Sequence, residues 1–128
     1  MADNLSATAE NLALDWILSV GTPTRPTAPL KVALVTANGD DATAGTEVTG
    51  GSYTRQDLSV AAAVNGATSN SADLVWTGMP AATVVGVEIW DSAGSPVRRW
   101  HGPLSASRTV PAGDELRLAA GALSLSLA

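Results

Sequence analysis

Strong turn signals recur along most of this chain, between short segments that are rich in β-branched and small apolar residues. Asn65-Gly66 tolerates the positive φ of a tight turn, and the segments Asp91–Pro96 and Pro111–Asp114 combine Gly, Pro and Asp. Short strands with a turn about every ten residues are typical of antiparallel architectures. The sequence therefore predicts a mainly β protein, a single antiparallel β-sandwich or barrel-like domain over residues 30–128 with one N-terminal α-helix.

Apolar alternation locates the strands of this domain. Residues 38–51 lack any apolar periodicity, so we expect a long loop there. In the strand predicted over residues 53–61, Leu58 and Val60 are expected to point inward. The predicted strands cover residues 30–36, 53–61, 72–76, 83–90, 97–101, 105–110, 114–118 and 123–127.

One hairpin is specific enough to predict a register. The strand that ends at Trp90 returns after a turn, and placing Trp90 opposite Val97 also places Glu88 opposite Arg99. This register favours an ion pair and an aromatic–β-branched pair across the strands. The predicted cross-strand neighbours are Trp90 and Val97, Glu88 and Arg99, and Val87 and Trp100.

Residues 4–20, ahead of the first strand, have helical periodicity. Asp3 or Asn4 is the expected N-cap, and Gly21 with the prolines that follow it ends the helix. An apolar stripe runs along one side of the helix and is widened by Ile17. The stripe residues, which recur at helical spacing, are Leu5, Ala9, Leu12 and Trp16.

Two interpretations of this helix stay open at the level of the sequence. The stripe can cover one end of its own domain, or it can dock onto a neighbouring subunit, since amphipathicity does not distinguish the two. The proline-rich arm that follows is expected to hold the helix away from the sandwich. We predict three parts: a helical assembly element at 1–21, the arm at 22–29 and the β-sandwich at 30–128. The predicted protein-interface residues are Leu5, Ala9, Leu12, Trp16 and Ile17.

The charge balance and the missing residue types exclude several classes of function. The net charge is −5, and seven Lys and Arg scattered along the chain form no basic face for nucleic acid. Cysteine is absent, so the chain has neither disulfides nor a thiolate metal site. We see neither a signal peptide nor a transmembrane segment. We therefore expect synthesis in the cytoplasm, later assembly into a larger structure, and no nucleic-acid or membrane partner.

No residue pattern indicates an active site. His101 is the only histidine, and the Gly-x-Ser-x-Gly pattern of a nucleophile elbow is absent. Asp40-Asp41 lies in a Gly/Thr-rich loop without the EF-hand pattern, so a solvated turn is favoured over a calcium site. We predict no enzymatic activity, no cofactor and no metal. The strand tryptophans, which we assign to the core of a chain without Phe, are Trp76, Trp90 and Trp100.

A set of short motifs occurs in a fixed order along nearly the whole chain. They are the helix motif Asn4–Trp16, the arm Thr22–Thr27, the strand Val32–Thr36, the segment Gly45–Gln56, the segment Gly66–Asn70, the hairpin Ile89–Trp100, and the segments Gly102–Leu104, Arg108–Val110 and Ala112–Leu116. In this order they resemble small bacteriophage virion proteins of the group labelled tail-fibre or minor structural proteins. The segment Ala37–Asp41 departs from that pattern, in which the first strand is followed by an aromatic residue and a longer proline-containing loop.

The resemblance implies a non-enzymatic virion protein that forms a homo-oligomer and binds other virion structural proteins, either capsid or tail subunits. A chain of 128 residues without a repetitive shaft does not form an extended fibre by itself. The prediction is therefore a multi-copy surface module that decorates the virion as a minor capsid protein. The alternatives are a tail-fibre or tail-tip component and, from another class, a module that binds host glycans.

Overall fold

The computed structural model describes residues 4–127, which form a mainly β fold with one α-helix near the N-terminus. All strand pairs among these residues are antiparallel, so the predicted fold class is confirmed. In chain order the elements are α1 (Ala7–Ile17), β1 (Lys31–Ala37), β2 (Thr46–Glu47), β3 (Gln56–Asp57), β4 (Ala67–Ser69), β5 (Leu74–Trp76), β6 (Ala82–Trp90), β7 (Arg98–Val110), β8 (Leu116–Leu118) and β9 (Ser124–Ser126).

A five-stranded main sheet organises the domain. Its strand order is β2-β1-β6-β7, and the short strand β3 pairs with β1 on the same edge as β2. Two smaller sheets, each of two strands, join β4 to β9 and β5 to β8. Over residues 4–127 the sheets stay open and do not close into a barrel, because β7 remains an edge strand.

A single hydrophobic cluster joins the main sheet to the β5–β8 pair. Trp76 is 1% exposed and is its largest side chain, which confirms the predicted core position. Trp100 packs against the margin of the cluster, whereas Trp90 is half-buried outside it, so its predicted place in the core is wrong. Cluster members come from five strands and the loops between them: Val32, Leu34, Val48, Leu74, Trp76, Met79, Val84, Val87, Ile89, Val110, Leu116, Leu118 and Leu123.

The β6–β7 hairpin has the predicted antiparallel pairing, but its register is different. Glu88 lies opposite His101, so the predicted contact between Glu88 and Arg99 is wrong. The predicted pairs of Val87 with Trp100 and of Trp90 with Val97 belong to the same register and are wrong as well. The observed pairs are Val87 with Gly102, Glu88 with His101, Ile89 with Trp100, and Trp90 with Arg98.

The side chain of Asp91 explains this register. Its Oδ1 accepts the Val97 amide over 2.9 Å and the Ala93 amide over 3.3 Å. The Asp91 amide in turn donates to the Val97 carbonyl over 3.0 Å. These bonds hold Val97 in the turn, so β7 begins at Arg98 instead. A side-chain-capped turn of this kind shifts the ladder, and strand alternation alone does not reveal it.

The structure also changes the predicted extent of several strands. The segment 53–61 contributes only β3, and Val60 is 46% exposed, although Leu58 does pack against the core. Val60 forms only an isolated antiparallel bridge with Asn70 and belongs to no strand. The alternation of apolar residues therefore extends past the end of the strand that it predicted. The segments 97–101 and 105–110 are one continuous strand, β7, and the 38–51 loop contains β2.

The predicted Asn-Gly turn is confirmed. Asn65 has a φ of 54° and Gly66 a φ of 74°. Positive φ at both central residues is the geometry that joins two strands by a tight hairpin turn, and Asn-Gly is the pair best suited to it. The flanking residues Val64 and Ala67 accordingly form an antiparallel bridge.

Candidate assembly surface

The segment before α1 is bound to the edge of the main sheet. Leu5 forms an isolated antiparallel bridge with Trp100 of β7, and the amide of Ser6 donates to the Arg99 carbonyl over 3.1 Å. The predicted stripe residue Leu5 therefore lies beside its own sheet in extended conformation. It is not part of the helix, so the stripe that α1 carries begins at Ala9.

Ser6 is the N-cap of α1, in place of the predicted Asn4; the other predicted cap, Asp3, lies outside the described residues. Its Oγ accepts the Ala9 amide over 3.3 Å and donates to the Arg98 carbonyl over 2.7 Å. The hydroxyl thus satisfies an otherwise unpaired helix amide and also links the helix to β7. Ala9 is 7% exposed, so the first turn of α1 is packed against its own domain.

The second half of α1 faces solvent. Trp16 is 66% exposed and Ile17 is 71% exposed, while Leu12 is half-buried. Of the five predicted interface residues, the structure therefore places the first two against the chain's own sheet and the last two at the surface. Further apolar side chains around the same end of the helix are also exposed, namely Leu14, Leu18 and Val20.

The exposed end of α1 forms one wall of an apolar cavity of about 420 Å³. The proline-rich arm also lines it, through Thr24, Arg25 and Pro26, together with Leu127 near the C-terminal end of the chain. We call this the helix–arm surface. It consists of Leu12, Trp16 and Ile17 of α1, Thr24–Pro26 of the arm, and Leu127.

The arm runs back along the domain. The Ser92 amide donates to the Thr27 carbonyl over 2.9 Å, and the Ser92 hydroxyl donates to the Pro29 carbonyl. The arm is thereby attached to the β6–β7 turn, with a cis peptide bond between Ala28 and Pro29. The prediction that the arm holds the helix away from the sandwich is wrong for the first turn of α1, which contacts β7. Only the second half of the helix projects from the domain.

Sequence reasoning missed part of this surface. Leu127 was expected in a half-buried terminal strand, but it is 51% exposed. Arg25 and Pro26 were assigned only to a spacer. A signal was present in Leu14 and the apolar run 16–18, because a broad apolar surface on a helix is usually covered by something else.

The Gly45–Gln56 segment, in contrast, lies against the main sheet through polar contacts. The Tyr53 hydroxyl donates to Glu47 Oε2 over 2.7 Å and accepts the Leu34 amide of β1 over 2.9 Å. Arg55 binds the same Glu47 carboxylate through two nitrogens, over 3.0 and 2.8 Å. Its guanidinium carbon also lies 4.4 Å from the centre of the Trp90 ring. Trp90 is thus covered by a cation, which explains its position outside the core.

These contacts shift the ionisation of the groups involved. Burial by itself would raise the pKa of Glu47, but the hydrogen bonds from Arg55 and Tyr53 outweigh it and lower the pKa below its ordinary value of 4.5. Burial and the bond to the Glu47 carboxylate raise the pKa of Tyr53 well above its ordinary value. Glu47 is therefore ionised and Tyr53 neutral at physiological pH, and both are engaged in bonds within the chain.

Glu88 continues this polar network in the interior. Its side chain is 1% exposed and accepts hydrogen bonds from the Gly45 amide over 2.7 Å, Arg98 over 3.3 Å and Trp90 Nε1 over 3.3 Å. A β-carbon at Gly45 would collide with the Ala37 carbonyl, so glycine is required for this approach. The sequence predicted the wrong partner for Glu88: the neighbouring Arg98 forms the buried ion pair. We define the polar network as Glu47, Tyr53, Arg55, Glu88, Trp90 and Arg98.

The residues considered for chemistry are also bonded to neighbours. His101 Nε2 lies 2.8 Å from Asp41 Oδ1. Asp40 Oδ1 accepts the amides of Ala42 and Thr43 over 2.9 and 2.7 Å, and these amides lower the pKa of its carboxyl. Asp40 thus stabilises its own loop. Over residues 4–127 no cluster of three or more His, Asp or Glu is placed to hold a metal ion, and no helix is long and apolar enough to cross a membrane.

Comparison with known proteins adds the biological context. A family model described as podophage GP4 fiber I protein gp80 matches residues 4–126. No curated protein matches the chain. The family match confirms the resemblance to phage fibre and minor structural proteins that the motifs indicated. Because it extends over almost the entire sequence, the protein belongs to this family of podophage fibre proteins and is a structural component of the virion.

Proposed function

We propose that this protein is a compact, multi-copy module of the phage fibre, and that the helix–arm surface is its assembly contact with a neighbouring virion subunit. The observation that carries the proposal is the exposure of Trp16 and Ile17 beside an apolar cavity. Exposed apolar surface of this kind, on an otherwise closed domain, marks a site of protein association.

The energetics favour such a contact. Burying a large apolar side chain contributes about 2 kcal/mol, and aromatic residues in pockets dominate the energy of many interfaces. Most of the surface of Trp16 and of Ile17 is exposed and is therefore available for burial against a partner. In a symmetric assembly the same contact recurs for every copy, so a few residues suffice to hold a module in place.

The family description favours a position in the fibre. Decoration of the capsid as a minor capsid protein is the second candidate, supported by the short chain of 128 residues and its compact domain. Both positions require a subunit that attaches to other virion proteins, so the helix–arm surface serves either of them. A host-glycan site is less well supported, because Trp16 is followed by Ile17 and Leu18 instead of the polar groups that orient a sugar.

The position is tested on intact particles with an affinity-labelled chain detected by gold labelling and cryo-electron microscopy. We expect label at the fibres, at several copies per particle. Label distributed over the capsid lattice would support the decoration alternative, and absence from purified particles would contradict the proposal. A glycan array with the purified chain tests the third alternative, for which we expect no sugar preference.

The contact is tested by adding purified chain back to particles produced without it. Ile17→Ala and Trp16→Ala should reduce attachment, because they remove apolar area from the helix–arm surface. Val60→Ala is the matched control, since Val60 is also exposed but lies outside this surface. Equal attachment of all three variants would contradict the role of the helix.

A further inference from the structure

Charges next to the helix–arm surface indicate what occupies it. The chain has seven Lys and Arg residues. Among residues 4–127, six of the seven donate a hydrogen bond or form an ion pair within the chain, and Arg25 is the exception. Arg25 is exposed in the wall of the apolar cavity. The site is thus apolar with one unpaired cation, and its natural occupant is an apolar segment that carries a carboxylate.

The chain itself contains such a segment. Leu14 of α1 and Leu18, the C-cap residue of the helix, are four residues apart, so they share one face, and they are 56% and 66% exposed. Asp15 lies beside that face, is exposed, and forms no ion pair in the described part of the chain. The outer face of α1 therefore offers what the cavity lacks: two leucines and a carboxylate.

We propose that the helix–arm surface binds the α1 helix of a second copy of this chain. In this contact Leu14 and Leu18 of one copy fill the cavity of the other, and Asp15 pairs with Arg25 across the interface. The same helix then has two uses, since Leu12, Trp16 and Ile17 line the cavity while the outer face enters the neighbouring one. Complementary charges at the edge of an apolar contact fix its register and exclude wrong partners.

This inference rests on the proposed assembly role and identifies the neighbouring subunit as another copy. It is tested with the purified chain alone, in the absence of particles, so the two proposals can fail separately. Sedimentation equilibrium of the wild-type chain should show concentration-dependent self-association. The charge reversals Asp15→Arg and Arg25→Asp should each weaken it roughly tenfold, because each places two like charges together.

The double variant D15R/R25D restores opposite charges between copies and should return the dissociation constant to within about threefold of the wild type. Asp114→Arg is the matched control, since Asp114 is also an exposed carboxylate that forms no ion pair within residues 4–127, and it lies far from α1 in the sequence. It should associate like the wild type. Circular dichroism verifies that all variants are folded.

Two results would overturn the proposal. A wild-type chain that stays monomeric at all concentrations rules out a second copy as the occupant. The proposed contact with a different virion subunit would be unaffected, because the attachment of purified chain to particles tests it separately. A double variant that associates as weakly as the single variants shows that Asp15 and Arg25 do not meet. Leu18→Asp provides an independent check, because a charge within the apolar contact should abolish association.

Discussion

In the polar network, Glu47, Tyr53, Arg55 and Glu88 each bond to another group of the same chain, whereas on the helix–arm surface Trp16 and Ile17 face solvent. The polar network extends into strands β6 and β7 through Glu88, Trp90 and Arg98, whereas the helix–arm surface lies outside the strands. The first is drawn against the main sheet by buried polar contacts and completes the domain. The second is attached before and at the first turn of α1 and at the end of the arm, and the apolar side chains between these points stay exposed. The difference supports our proposal that the first region serves the fold and the second serves assembly.

The comparison predicts that mutations in the network act on folding. Replacing Arg98 by Met leaves the Glu88 carboxylate buried without its counterion, and this should lower the free energy of unfolding by about 3–5 kcal/mol. Arg117→Met is the control: its ion pair with Asp73 is exposed, so losing it should lower the free energy of unfolding far less. Urea denaturation measures both. Similar costs for the two variants would contradict a structural role for the buried pair.

A smaller loss is expected for Tyr53→Phe. The substitution removes one hydroxyl, which both donates to Glu47 and accepts the Leu34 amide. A buried group left without its partner costs about 1–3 kcal/mol, so the unfolding free energy should fall by that amount while the fold is retained. An unchanged denaturation midpoint would show that water replaces the hydroxyl without loss.

Two carboxylates that accept hydrogen bonds within the fold, Glu47 of the polar network and Asp91 of the β6–β7 turn, should also make the stability depend on pH. The folded-state pKa of Glu47 and that of Asp91 lie below their ordinary values of 4.5 and 3.8. For Asp91, burial acts in the opposite direction, but bonds from the Val97 amide, Arg99 and the Ala93 amide outweigh it. A lowered pKa contributes stability above the ordinary value, and this is lost as pH falls through the folded value. The unfolding free energy should therefore decrease below about pH 4.5.

Glu47→Gln separates this effect from general acid denaturation. The variant is less stable than the wild type at neutral pH, because Arg55 and Tyr53 lose a charged partner. Its unfolding free energy should then change less steeply between neutral pH and pH 3 than that of the wild type. Parallel pH profiles for the two proteins would mean that Glu47 contributes nothing to acid sensitivity.

The smallest effect on folding is expected at the helix–arm surface. Trp16→Ala should change the unfolding free energy by no more than about 0.5 kcal/mol in dilute solution, because the side chain is exposed. If it does bind a second copy, the melting temperature of the wild type should rise with protein concentration and that of the variant should not. Thermal unfolding at several concentrations measures both. A large loss for the dilute variant would place Trp16 in the domain's own core.

The sequence by itself determined the mainly β class, the Asn65-Gly66 turn and the helix near the N-terminus, because backbone propensity and apolar periodicity act over a few neighbouring residues. It also indicated a virion protein through the order of its motifs. It did not determine the register of the β6–β7 hairpin, which depends on the carboxylate of Asp91 capping the turn.

Only the tertiary structure decided which apolar residues are covered. The periodicity of Leu5, Ala9, Leu12 and Trp16 is uniform in sequence, but bonds from Asn4–Ser6 to β7 attach just the beginning of the helix. The cavity likewise unites Trp16, Arg25 and Leu127 from distant parts of the chain. Burial is set by contacts between segments far apart in sequence, and no local pattern encodes which end of an amphipathic helix those contacts reach.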